Sequence, residues 1–270
     1  MRLPKVRPVA AIVLRQYYLM RGNPTRILPI VAWVAIDMVL WGFLARYLDS
    51  VNGQRINFIG NLLGAVLFWD LFTRIMQGVT LAFFEDVWSR NFVNVFATPL
   101  LISEYLCGLV ITAILTSLVG LAVMLLLATI VFGLSFLSLG LLLLPYLLLL
   151  FLFGIALGVL ACAMVLRLGP VSEWLVWPIP ALLAPFAGVF YPLSTLPTWM
   201  RAVSHALPPA YLFESMRAVL AHHPTRPEGL AIGIALALLD LVLACWLFSH
   251  VHRSAVRSGL LARYSAESAV

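Results

Sequence analysis

The sequence predicts an all-α membrane protein with six transmembrane helices, and three features predict it. Of its 270 residues 63% are hydrophobic and 10% charged, with a mean hydropathy of +1.04. Soluble domains run near half apolar and a quarter charged. Apolar runs of about 20 residues, the length that crosses the hydrocarbon of a bilayer, recur along the chain. Lys and Arg gather at the ends: Arg2, Lys5, Arg7, Arg15, Arg21 and Arg26 lead, and Arg253, Arg257 and Arg263 close. Such a distribution carries orientation in a membrane rather than a nucleic-acid footprint.

The elements follow in order. The run Val9 to Leu14 is broken at once by Arg15 and Gln16, so the N-terminus lacks a signal-peptide core and no cleaved signal is expected. Val9, Ile12, Val13, Tyr17 and Met20 recur at helical spacing beside Arg15 and Arg21, the pattern of an interfacial amphipathic helix with that side in lipid. Residues 1–26 thus form a tail and interfacial helix. A six-span domain follows over 27–252, and 253–270 form a second tail.

Span one is Ile27 to Leu44, interrupted only by Asp37, and Arg46 to Asn57 is a short polar loop. Span two, Phe58 to Phe83, holds Asp70 and Arg74. A polar island from Phe84 to Glu104 comes next. It carries Glu85, Asp86, Arg90, Asn94 and Glu104, with Trp88, Phe92, Val95 and Phe96 on one helical face. Pro99 stops that helix, having no N–H to give and disfavouring helical geometry at Thr98. The island reads as an amphipathic helix across the membrane face, suited to docking.

Tyr105 to Phe132 and Leu139 to Leu166 are uncharged spans three and four, joined by a turn at Gly133 to Ser138. Gly154, Gly158 and Cys162 repeat every four residues, which admits a close neighbour helix or simply faces lipid. Span five, Trp174 to Phe190, contains Pro178, Pro180 and Pro185, which break the backbone ladder and predict an interior or distorted span. Tyr191 to Glu228 is too polar for a span and too apolar for a free loop. It reads as one or two short helices in or on the far interface, anchored by Trp199 and Tyr211. Span six is Gly229 to Phe248, with Asp240 inside it. Six spans put both termini on one side, with eleven Lys and Arg there against five opposite, which predicts cytoplasmic termini.

Catalytic chemistry finds little footing. The single lysine, Lys5, lies outside any G-x-x-x-x-G-K-[ST] pattern, so the chain has no P-loop of its own. Cys107, Cys162 and Cys245 form no C-x-x-C pair and read as small buried residues. His205, His222, His223, His250 and His252 show no metal-ligand spacing, and no G-x-S-x-G elbow occurs. Intramembrane charge is costly and needs a role. Asp70 and Arg74 share a helix face, either as a structural ion pair or as part of a polar path. Asp37 and Asp240 lack a local partner and are expected to face the bundle interior or a dimer surface. Trp33, Trp41, Trp69 and Phe72 suit stacking on sugar rings or plain core packing. On these residues alone, an ion-driven carrier with Asp37, Asp70 or Asp240 as proton carriers is the alternative.

Two stretches carry a resemblance. FFEDVWSRNFVNVFATPLLISEYLCG resembles the segment between spans two and three in permease subunits of type-2 ABC exporters. There an acidic residue opens a short cytoplasmic helix, Thr-Pro closes it and a glycine follows; Glu85, Asn94, Thr98, Pro99 and Gly108 match. GVFYPLSTLPTWMRAVSHALPPAYLFESMRAVL is similar to the family's extracellular hairpin after span five, through Tyr191, Pro192, Leu196, Pro197, Trp199, Pro208 and Arg217. The chain departs from the pattern at Arg90 to Phe92, where many members have Gly-Thr or a second acid.

The resemblance implies a non-catalytic half-transporter in a bacterial inner membrane, built with a second permease copy, expected as a homodimer. It implies a separate ATP-binding subunit that holds ATP and Mg, so no cofactor in this chain and no nucleic-acid partner. Glu85, Asp86, Trp88, Arg90, Asn94, Phe96 and Pro99 would form the coupling helix seated on that ATPase. Asp37, Asp70, Arg74 and Asp240 would be the polar groups of the translocation path. A re-entrant hairpin with Phe190, Tyr191, Pro192, Leu196 and Pro197 would be the outer gate for a lipophilic or glycan-type substrate.

Overall fold

The computed structural model describes residues 5–51, 58–89, 91, 94–95, 98–134, 143–169, 172–221, 224 and 227–258. Among them the ordered elements are helices: α1 (Val6–Arg21), α2 (Pro24–Val51), α3 (Phe58–Trp88), α4 (Ile102–Phe132), α5 (Leu143–Leu168), α6 (Glu173–Val176), α7 (Ile179–Ala187), α8 (Thr198–Ser204), α9 (Pro208–Leu220) and α10 (Pro227–Arg257). A 3-10 turn, Leu193–Thr195, precedes α8.

The core is the contact of α3 with α5. On α3, Leu67, Phe68, Leu71, Phe72, Ile75, Met76, Val79 and Phe83 are wholly buried. Facing them is the stripe Gly154, Gly158 and Cys162. A Cβ at Gly154 would lie 2.9 Å from Ile75, and one at Gly158 3.0 Å from the Met76 carbonyl oxygen. The Cys162 Sγ reaches the Val79 carbonyl at 4.0 Å. The stripe therefore serves close helix approach, not lipid. α10 packs on α5, α2 and α4 flank α3, and α1 lies against α4. Phe83 meets both Tyr105 and Phe248, so the ends of α3 and α10 and the start of α4 share one end of the bundle with α1. At the other end Trp41 stacks on Phe190 and Tyr146 bonds Ser215 at 2.9 Å.

Among the described residues five helices are long and apolar enough to cross a membrane: Val31–Val51, Gly60–Trp88, Ile102–Phe132, Leu143–Leu168 and Pro227–Arg257. The expected span five is not one helix. Its prolines split it into α6 and α7 with a break at Trp177 and Pro178, and Gly188 ends it in the left-handed region at φ 62°. Of the two readings, interior or distorted, the structure shows the distortion; Trp174, Leu175, Trp177 and Leu182 are exposed on the single chain.

Two further expectations need correction. The polar letters after Leu44 do not begin a loop, because α2 continues to Val51. Arg46 keeps its stem in the helix and sets its guanidinium 5.5 Å over the Phe132 ring. Residues 52–57 lie outside the described residues, as do 135–142 of the turn into α5 and 259–270 of the second tail. On α1 the buried residues are Ile12 and Gln16, and Tyr17 is exposed. Tyr17 thus lies outward as expected, but Ile12, read on the lipid side, faces inward over Gly108, where a Cβ would meet it at 2.5 Å.

Candidate functional site

Two connected features hold the chemistry: a polar junction where α1 meets the last turn of α3, and a cleft running from it along α3. At the junction, Asp86 is 1% exposed, yet it is ionisable, so its charge must be met within the protein. Arg15 meets it with both guanidinium nitrogens: Nη1 donates to Oδ2 at 2.9 Å, Nη2 donates to Oδ1, and the Tyr105 hydroxyl donates to Oδ2 at 2.7 Å. That hydrogen bond with Asp86 pushes the Arg15 guanidinium above its ordinary range. One residue earlier, Glu85 accepts from Arg26 at 3.0 Å, with both side chains about one third exposed.

Glu104 belongs to the first turn of α4 rather than to the island. Its carboxylate accepts the Leu101 N–H at 3.0 Å and the Lys5 N–H at 3.1 Å, the arrangement that satisfies open donors at a helix start. The predicted docking residues thus separate by environment. Asp86 turns into the protein and clasps α1. Trp88, Asn94, Thr98 and Pro99 are exposed, with Asn94 and Val95 helical and the Val95 N–H bonded to the Asn91 carbonyl at 2.9 Å. Arg90, Phe92 and Phe96 lie outside the described residues.

The cleft has a volume of about 750 Å³ and is walled by α1, α2, α3, α4 and Trp177. From α3 it receives Asp70, Thr73, Arg74, Gln77 and Glu85, side chains on successive turns of one face. At about 1.5 Å per residue the cleft follows α3 for roughly 22 Å, from Glu85 at the junction to Asp70 at mid-helix. Arg26, Trp33 and Asp37 come from α2, Gln16 and Met20 from α1, and Thr112, Thr116 and Ser117 from α4.

Arg74 Nε donates to Asp70 Oδ2 at 2.7 Å, and the arginine stem passes over Gly120, where a Cβ would stand 3.3 Å from Cδ. Thr112 and Thr116 give their hydroxyl protons back to carbonyls of their own helix. Asp37, partly buried, makes no ion pair or hydrogen bond among the described residues. The structure therefore brings Asp37, Asp70 and Arg74 together and leaves Asp240 apart on α10. Of the candidate stacking rings only Trp33 lines the cleft. Trp69 packs on Phe72 and Phe213 in the core, and Trp41 on Phe190.

At the opposite end the predicted gate residues gather in one cap. Phe190 stacks on Trp41 with centroids 5.4 Å apart, and the Tyr191 hydroxyl donates to the Pro185 carbonyl at 2.9 Å. Leu193 and Leu196 are buried with Ala210 in a small cluster of their own, Pro192 opens the 3-10 turn and Pro197 precedes α8. Arg201 holds this cap by donating to the carbonyls of Leu193, Ser194 and Leu196 at 2.9 to 3.3 Å. Arg217 donates to the Gly188 carbonyl at 2.8 Å, and Glu214 accepts from both Arg217 and the Leu193 N–H.

Sequence reasoning missed Arg15, Arg26, Gln16, Tyr105, Ser117 and Arg201. The only signal for the first two was a pair of arginines in an apolar setting with no acid of their own.

A family model described as ABC-2 type transporter matches residues 8–221, from α1 through the cleft and the cap to the end of α9. No match was found among the curated proteins.

Proposed function

The chain belongs to the ABC-2 type transporter family as a permease subunit, and from that premise we propose that it is the membrane half of an ATP-driven exporter of a lipophilic or glycan-type substrate. The observation that carries the proposal is the junction: the last turn of α3 is clasped to α1 by Asp86 and to the start of α2 by Glu85, beside the exposed Trp88, Asn94 and Pro99. A push on residues 85–99 reaches three helices at once, and a rigid-body shift of packed helices is how such a push becomes a conformational change. The force comes from a separate ATP-binding subunit, which binds ATP and Mg, since the chain has no P-loop lysine. Two permease copies enclose the path, with Asp37, Asp70 and Arg74 along it and Asp240 on its margin, and Phe190 to Pro197 close its outer end. The excess of Lys and Arg on the side of the termini supports a cytoplasmic position for the junction end, in a bacterial inner membrane.

The test is purification of the tagged chain from its native cell in nanodiscs, with identification of what accompanies it and an ATPase assay. A stoichiometric P-loop ATPase is expected. Glu85→Arg with Trp88→Ala is expected to leave the chain folded and to separate ATP hydrolysis from export; normal export by that double variant refutes the docking role. A second reading is favoured by Asp37, a carboxylate in the cleft with no ion pair or hydrogen bond among the described residues. An ion-driven carrier would transport without any ATPase and stop when the proton gradient is collapsed.

A further inference from the structure

We propose that the cleft along α3 binds an organic cation, so that the substrate of this permease carries a positively charged group next to a lipophilic body. The inference rests on the permease proposal and narrows its substrate class. Two independent observations carry it. The first is charge. Of the charged side chains that line the cleft, Arg26 pairs with Glu85 and Arg74 with Asp70, each pair neutral as a unit, and the Asp37 carboxylate remains. Arg74 faces both Asp70 and Asp37 and offsets one carboxylate only, so the three carry one net negative charge, which is costly inside a membrane span unless something positive meets it there. The cleft is wide enough, at about 750 Å³, for a drug-sized molecule to meet it.

The second observation is orphaned polar atoms in the same walls. Gln16 is 4% exposed and Ser117 2%, and among the described residues neither the Gln16 amide nitrogen nor the Ser117 hydroxyl has a hydrogen-bond partner. Both line the cleft. Buried donors without acceptors carry a desolvation penalty that a ligand oxygen relieves. The indoles of Trp33 and Trp177 border the same space and suit a cation through their faces. A carboxylate, two waiting polar groups and two indoles describe a pocket for an amine or quaternary centre flanked by a hydroxyl or carbonyl.

The experiment compares two ions of the same shape and opposite charge, tetraphenylphosphonium and tetraphenylborate, for saturable binding to the full chain in nanodiscs above that of empty discs. The phosphonium is expected to saturate. Asp37→Asn is expected to weaken it about tenfold, the worth of one partly desolvated charge contact, leaving the borate unchanged. Asp37→Glu, which keeps the charge, is expected to bind within a few-fold of the unaltered chain and controls for folding. No saturable phosphonium binding, a borate preference, or an unaltered phosphonium affinity in Asp37→Asn overturns the inference. Should Asp37→Asn not purify, the ion preference of the unaltered chain decides. A chain that retains its ATP-binding subunit but shows no preference between the ions loses the cation inference alone. One that prefers the phosphonium but retains no ATPase loses the exporter proposal alone.

Discussion

Arg15→Ala isolates what holds α1 to the bundle. Asp86 is 1% exposed, and its charge is met by the bidentate Arg15 and by the Tyr105 hydroxyl. Removing one partner of a fully buried pair costs roughly 3 to 5 kcal/mol. The Arg15 side chain is 30% exposed, so water replaces part of what is lost and about 2 kcal/mol is the better figure. The apolar hold on α1 is slight, with Ile12 its one buried hydrophobic residue. The loss therefore falls on docking of α1 rather than on the α3 and α5 core. A change of about 2 kcal/mol raises the population of the undocked helix about thirtyfold. The assay is amide hydrogen exchange in nanodiscs, with peptides from residues 6–21 accelerating by about that factor while those from α5 keep their rates. Adding Asp86→Asn should restore most of the protection, because a neutral amide is far less costly to bury than an unpaired carboxylate. Unchanged exchange in Arg15→Ala, or no recovery in the double variant, refutes the assignment of α1 docking to this pair.

Other consequences can be measured on the same material. Gly158→Leu would drive a Cβ to 2.9 Å from Val79 and further atoms beyond it, and should lower the thermal midpoint by the equivalent of about 1 to 3 kcal/mol. Gly133→Ala, in open space at φ 68°, should cost only the strain of that backbone, about 1 kcal/mol, so equal losses would contradict the packing argument. Asp70→Asn leaves Arg74 without its 2.7 Å partner and should destabilise by about 3 kcal/mol, with Asp70→Asn plus Arg74→Gln recovering most of it in thermal unfolding. Arg201→Ala removes donors to three carbonyls and should open the Leu193–Leu196 turn to protease about tenfold faster; equal cleavage rates would show that the small apolar cluster holds the cap by itself.

Helices that bury or lipidate a long apolar surface were legible, since α4 and α5 carry no charge beyond their ends and nothing competes with the pattern. The break in the fifth expected span was also legible, because three prolines in one run have a single effect on the ladder. The extent of α2 was not: Arg46 and Asp49 look like a loop in one dimension, and the end of α4, far along the chain, gives the Arg46 guanidinium a place to rest, over the Phe132 ring and against the Val131 carbonyl. Pairing was the least visible. Asp86 and Glu85 adjoin in sequence, yet one is buried against Arg15 and the other lies near the surface beside Arg26, at separations of 71 and 59 residues. Helical phase at the end of α3 decides which acid turns inward, and one residue is about 100° of rotation. For the same reason the apolar side of α1, read as facing lipid, leaves Tyr17 exposed as expected but turns Ile12 inward beside the polar Gln16.

The Asp70 and Arg74 pair has a meaning for biosynthesis. Its members sit four residues apart on α3, so they meet as soon as that helix coils, before any later span has been made. The glycines that will seat α3 are on α5, about eighty residues further along the chain. A helix with a lone arginine at its centre would have to wait for a counter-ion inside the lipid while the ribosome worked through that distance. One that carries its own counter-ion can leave the insertion machinery early and hold its place in the bilayer until α5 arrives.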